Sequence, residues 1–178
     1  CLVLTENTIE KNINLIERYR DWIDAAELRA DFLTPQELLH IRKFPLLAGI
    51  PVILTVRRFL DGGLFRGGEG SRIMLFAQGL AFADTDPIKN FAYLDLESDM
   101  EVPSLEEAAQ AFNITIIRSL HSIKQPIADI AAQVQKIRRT QDEIVKIAFK
   151  AECLSDTTNL FDEAKKCSGA NTLIAMGE

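Results

Sequence analysis

Short apolar runs alternate with amphipathic segments along the whole chain. The runs are CLVLT (1–5), IDAAELRADFL (23–33), PVILTVR (51–57), FAYLDLES (91–98), ITIIRSLHS (114–122), EIVKIAFK (143–150) and TLIAM (172–176). They are brief and rich in branched and aromatic residues, which predicts seven strands. The segments between them carry helix-start chemistry. Asn7 stands three before Glu10, and Ser104 three before Glu107. Thr34, Pro35 and Glu37 combine a cap, a proline at the first helical position and the far half of a capping box. Further helices are predicted over 69–83 with Ser71 as cap, and over 125–139 with Ile127, Ile130, Ala131 and Val134 on one stripe. The last covers 156–171, with Gly169 as the left-handed residue past its end.

Regular strand–helix alternation implies crossover connections and a parallel sheet, closed either as a barrel or as a doubly wound open sheet. The turn after the first strand, TENTIEKN, holds no glycine, which argues against a nucleotide-binding open sheet. The glycine-rich stretch GGLFRGGEG (62–70) matches no phosphate-binding fingerprint and is expected to be a long flexible loop, a candidate lid.

Side chains alternate along a strand, so parity sorts each run into two faces. Glu27, Arg29 and Asp31 oppose Ala26, Leu28 and Ala30. Thr55 and Arg57 oppose Leu54 and Val56. Asp95 and Glu97 oppose Leu94 and Leu96. Ser119 and His121 oppose Ile116 and Leu120, and Lys146 and Lys150 oppose Val145, Ile147 and Phe149. Arg118 alone breaks the pattern, by falling on an aliphatic face. An open sheet covered by helices on both sides would be apolar on both faces. One polar face and one aliphatic face favour a (β/α)8 barrel, whose inward residues near the strand C-termini form the active site. Isolated inward charges also serve as structural ion pairs, and Arg29, Asp31, Asp95 and Glu97 fit that role as well. Lys146 fits it less well. An ammonium is costly to bury, and a desolvated amine is a nucleophile for carbonyl carbon. His121, on the neighbouring strand and the same face, is suited to moving protons near neutral pH.

Composition excludes several classes. The formal net charge of −6, with acidic and basic residues interleaved, offers no surface for a phosphate backbone, so no nucleic-acid partner is expected. The longest apolar stretch, FPLLAGIPVILTV (44–56), is broken by prolines and too short to span a membrane. Three widely spaced cysteines, Cys1, Cys153 and Cys167, suggest reduced thiols in a cytoplasmic protein, acting as small buried hydrophobes. Two histidines, His40 and His121, are too few for a histidine-rich metal site, and none is expected.

Taken in order, ELRADFL (27–33), TVRRFLDGG (55–63), YLDLE (93–97), SLH (119–121) with Pro126 after it, VKIA (145–148) and MGE (176–178) resemble type I 3-dehydroquinate dehydratase of the shikimate pathway. The resemblance implies a TIM-type (β/α)8 barrel, a homodimer, and no metal or cofactor. It implies syn elimination of water from the small-molecule substrate 3-dehydroquinate, giving 3-dehydroshikimate. By motif, Lys146 would form a Schiff base with the substrate ketone, and His121 would be the acid–base group. Glu27, Arg29, Arg57 and Asp61 would contact substrate, and Met176 would pack against it. Two departures stand out. Asp61 replaces a glutamate, and Ser122 follows the histidine where an aspartate is usual. The family pattern also continues past MGE with a Ser-Arg pair, a helix, an eighth strand and a closing loop. The expectation is therefore one barrel domain over 1–178, truncated at the C-terminus, with about seven strands and without its last βα unit. Two other readings remain: another Schiff-base barrel of the class I aldolase type, and an inactive barrel fragment.

Overall fold

A computed structural model describes residues 1–81, 84 and 86–177, with Pro87 described by its backbone alone. The chain forms two compact units, Cys1–Asp95 with Val102–Thr115, and Leu96–Glu101 with Ile116–Glu178.

The first unit carries β1 (Leu2–Leu4), β2 (Ala26–Arg29), β3 (Val52–Thr55) and most of β4 (Tyr93–Glu97). These pair in parallel, in chain order, with Leu4 opposite Leu28, Arg29 opposite Thr55 and Thr55 opposite Asp95. The helices are α1 (Ile9–Tyr19), α2 (Pro35–Leu38), α3 (Phe44–Ala48), α4 (Glu69–Leu80) and α5 (Pro103–Ala111). Leu4, Ala26, Leu28, Leu54 and Leu94 are fully buried together with Ile16, Phe44 and Phe76 from the helices. Burying each of the larger side chains contributes about 1.5–3 kcal/mol. The aliphatic parity of the strands is thus the face that meets the helices. In α4, Gly79 marks the closest approach, since a Cβ there would lie 2.5 Å from Leu54 Cδ2.

The second unit holds β5 (Thr115–Ser122), whose first residue belongs to the first unit, with β6 (Ile144–Lys150), β7 (Asn171–Met176), α6 (Ile130–Ile137) and α7 (Leu154–Ala164). These three strands are also parallel. Val145, Ile147 and Phe149 pack with Ile130, Val134 and Leu160 in one buried cluster, so β6 turns its aliphatic face to α6 and α7.

All seven expected strands form, but the first four are shorter than their apolar runs, the second most of all. After Arg29 the chain turns into a short 3-10 segment, Ala30–Phe32. Capping differs in detail. Thr8, not Asn7, caps α1, accepting from Lys11 N at 3.3 Å. Glu37 does not complete a box on its own helix; its carboxylate accepts from Ile9 N at 2.7 Å. Gly68 rather than Ser71 precedes α4, and Val102 rather than Ser104 precedes α5. Asp129, in the left-handed region at φ 50°, caps α6, which begins later than its apolar stripe. Gly169 does take positive φ, but it lies beyond the Lys165 cap, in the turn leading to β7. Phe82 and Ala83 of the helix expected over 69–83, and Glu178 of the MGE motif, lie outside the described residues.

In the first half of the loop expected over 62–70, backbone hydrogen bonds define a specific conformation. Phe59 N donates to Phe65 O at 2.9 Å, Phe65 N to Arg57 O at 3.2 Å and Gly63 N to Arg58 O at 2.9 Å, closing a tight loop. A Cβ on Gly63 would stand 2.2 Å from the Arg57 carbonyl oxygen, so only glycine fits there. Arg66 stacks on the Phe59 ring at 3.7 Å. Backbone pairing and a glycine under a carbonyl pin the segment in place.

Candidate active site

In the first unit the polar parity of β2, β3 and β4 gathers a dense set of charges. Glu27, Thr55, Arg57 and Asp95 are all buried. Thr55 donates its hydroxyl to Glu27 Oε1 at 2.8 Å, fixing the carboxylate across the β2–β3 pair. Arg57, two residues past the end of β3, binds Asp95 Oδ2 through Nη2 at 2.8 Å. Arg29 makes a two-pronged bond to Asp31, Nε to Oδ1 at 2.9 Å and Nη2 to Oδ2 at 2.7 Å, and its guanidinium lies over the Phe32 ring. Asp61 sits in the short 3-10 turn Phe59–Asp61 and accepts from Arg58 Nε at 2.6 Å. The shortened side chain at this position is thus bound to the neighbouring arginine.

In the second unit, Ser119 stands directly opposite Lys146 and His121 opposite Ala148. His121 is therefore a diagonal neighbour of Lys146, one pleat further toward the strand C-termini. Strand spacing and rise put their Cα atoms roughly 8 Å apart, within reach of two side chains on one face. Lys146 is half-buried rather than fully enclosed, as is His121, although Nδ1 of the imidazole is shielded from solvent. Thr172, opposite Lys146 on β7, and Ile174 on the same face are exposed. Met176 is opposite Lys150 in register, and both line an open cavity of about 980 Å3 with Ile123, Cys153 and Thr157. Ser122 donates its hydroxyl to Gln125 O at 2.6 Å, so this departure from the family pattern serves to close the turn after β5.

Several functional details were not readable from parity. Arg118 is fully buried and bound to Glu143, Nη2 to Oε1 at 2.6 Å, and also donates to Met100 O at 3.1 Å. This buried pair explains the charge on an aliphatic face. Cys1 and Cys153 are exposed, against expectation; only Cys167 is packed at the core, and burial pushes its thiol up. Among the described residues, no group of three histidines, cysteines or carboxylates is placed to hold a metal ion, and no helix is long and apolar enough to cross a membrane.

Residues 1–178 match the family described as type I 3-dehydroquinase. The chain belongs to this family. The 3-dehydroquinate dehydratase of Methanocaldococcus jannaschii is 28% identical over 184 aligned residues, covering 100% of this chain and 78% of that protein. The dehydratase of Coxiella burnetii is 26% identical over 181, covering 100% and 74%. The fold matches that of 3-dehydroquinate dehydratase from Enterococcus faecalis with a TM-score of 0.81 at 18% identity, over 99% of this chain and 78% of that one. The Geobacillus kaustophilus dehydratase gives 0.79 at 18% identity, over 100% and 73%. In this chain the polar parity of the strands carries Glu27, Asp95, His121 and Lys146, and the aliphatic parity carries the core.

Proposed function

We propose that this protein dehydrates 3-dehydroquinate to 3-dehydroshikimate through a Schiff base on Lys146. The observation that carries this reading is the family match along the whole chain. The placement of Glu27, His121 and Lys146 on the polar faces of parallel strands, with Arg57 just past the end of β3, supports it. The same reading takes the chain as part of one (β/α)8 barrel, cytoplasmic and homodimeric.

The chemistry follows from these groups. The neutral Lys146 amine adds to the substrate ketone, and loss of water leaves an iminium. The iminium draws electrons from the adjacent carbon, so His121 can remove a proton there and generate an enamine. The enamine expels the hydroxyl one carbon further on, and the imidazolium returns its proton to the departing oxygen as water. Hydrolysis of the conjugated imine releases product and the free amine. Glu27 and Arg57 would hold the ring hydroxyls, Arg29 would contact substrate beside them, Met176 would pack on the ring face, and Asp61 would contact substrate only by exchanging its bond to Arg58.

The test is appearance of the conjugated enone by ultraviolet absorbance after addition of 3-dehydroquinate. Turnover in the unsubstituted protein with loss of at least about a hundredfold in His121→Ala is expected. Full activity in His121→Ala, or cleavage of a sugar phosphate in place of dehydroquinate turnover, would overturn the reading.

A further inference from the structure

Asp31 accepts four hydrogen bonds just past the polar face of β2. It lies in the 3-10 turn after β2, and its carboxylate is completely enclosed. Oδ1 accepts from Arg29 Nε at 2.9 Å and from the backbone N of Arg57 at 3.3 Å. Oδ2 accepts from Arg29 Nη2 at 2.7 Å and from the backbone N of Leu64 at 3.0 Å. An ionised carboxylate has about four acceptor sites, and all four are filled. Two of the donors are the prongs of one guanidinium. The other two lie at opposite ends of segment 57–64, whose closure is completed by the Arg58–Phe65 bridge.

We infer that Asp31 is a positioning residue: one carboxylate sets the spacing between Arg29 and Arg57, the two arginines assigned to substrate contact. This rests on the dehydratase reading and adds a role to a residue that the reading leaves unassigned. Arg57 is held at its tip by Asp95 and at its backbone by Asp31. Arg29 is held on one side by Asp31 and on its face by Phe32. Losing the Oδ2 acceptor frees one prong of Arg29 and the Leu64 end of the segment that carries Arg57, so both arms are held less firmly. Substrate binding must then immobilise them, which weakens binding. No chemical step is assigned to Asp31, so a saturated enzyme should turn over nearly normally.

Asp31→Asn keeps the Oδ1 acceptor and loses the Oδ2 pair, since its amide nitrogen cannot accept from Arg29 or Leu64. The expected result is a KM for 3-dehydroquinate raised about tenfold or more with kcat within about threefold. Hydrogen exchange at the Leu64 amide should accelerate. Combining Asp31→Ala with Arg29→Ala should cost little more than either alone, the mark of residues acting as one unit. If the neutral variant does not fold, Asp31→Glu keeps the charge while displacing the carboxylate by one methylene, and the same KM rise is expected. Unchanged KM in a folded Asp31→Asn or Asp31→Glu, or a fall in kcat with KM unaltered, overturns the inference. Absence of turnover in the unsubstituted protein strikes the dehydratase reading instead; Leu64 exchange then still decides whether Asp31 pins the segment.

Discussion

Two buried arginine–carboxylate pairs, nearly identical in chemistry, stand at different places in this chain. Arg57 and Asp95 meet at 2.8 Å with side chains 4% and 0% exposed; Arg118 and Glu143 meet at 2.6 Å with 0% and 4%. Neither burial nor distance distinguishes them. Position does. Arg57 follows the C-terminal end of β3 on the polar parity, among the family's motif residues. Arg118 lies on the helix-facing parity of β5, and Glu143 precedes the first residue of β6. In parallel α/β folds the C-terminal ends of strands carry chemistry, and the opposite ends carry stability. The comparison teaches that a buried charge is not evidence of function until its strand end and face are known.

The largest expected difference between the pairs comes from Glu143→Ala. It strands the Arg118 guanidinium and also removes the acceptor for Arg139 N, so unfolding free energy should fall by about 3–5 kcal/mol, read by denaturant titration. Activity per folded molecule should stay near normal; a folded but inactive variant would erase the distinction. Next is Gly63→Ala, where the new methyl collides with the Arg57 carbonyl. A loss of roughly 1–3 kcal/mol is expected, with cleavage by limited proteolysis appearing in segment 57–65. Arg57→Lys keeps the charge but loses the planar fork. It should lower kcat/KM about tenfold or more with little change in stability, the reverse of the Glu143 result. The smallest effect belongs to Asp156, at the start of α7. Donation from the backbone N–H groups of Glu152 and Cys153 holds its carboxyl below the usual carboxylate range. Its contribution is therefore complete at neutral pH and fades as pH falls through the ordinary carboxylate range and below. Asp156→Asn should flatten the acid limb of a Tm-against-pH curve slightly and leave activity untouched.

Much of the fold was legible because period-two alternation of aliphatic and polar residues runs through β2, β3, β4 and β6, with Arg118 in β5 the exception. Leu28, Leu54, Leu94 and Val145 are buried where parity places them. The motif residues were legible for the same reason, since Glu27, Arg57, His121 and Lys146 all share the polar parity. What parity could not supply was anything set by tertiary hydrogen bonding. Arg118 looked anomalous because its partner, Glu143, is 25 residues away. The stretch 62–70 looked loose because glycine allows both mobility and tight backbone packing, and only the Arg57 carbonyl above Gly63 decides between them. Glu37 looked like the cap of its own helix, but its carboxylate reaches a different one, 28 residues back. The short turn after β2 hid the four bonds of Asp31 for the same reason.

The central claim is that Lys146, on the polar parity of β6, is the nucleophile. The most direct measurement is intact mass followed by peptide mapping after treatment with 3-dehydroquinate and borohydride. The account predicts a reduced covalent adduct on the peptide containing Lys146 and none on Lys150, four residues along the same face. An adduct on another lysine, or retention of turnover in Lys146→Ala, would contradict it.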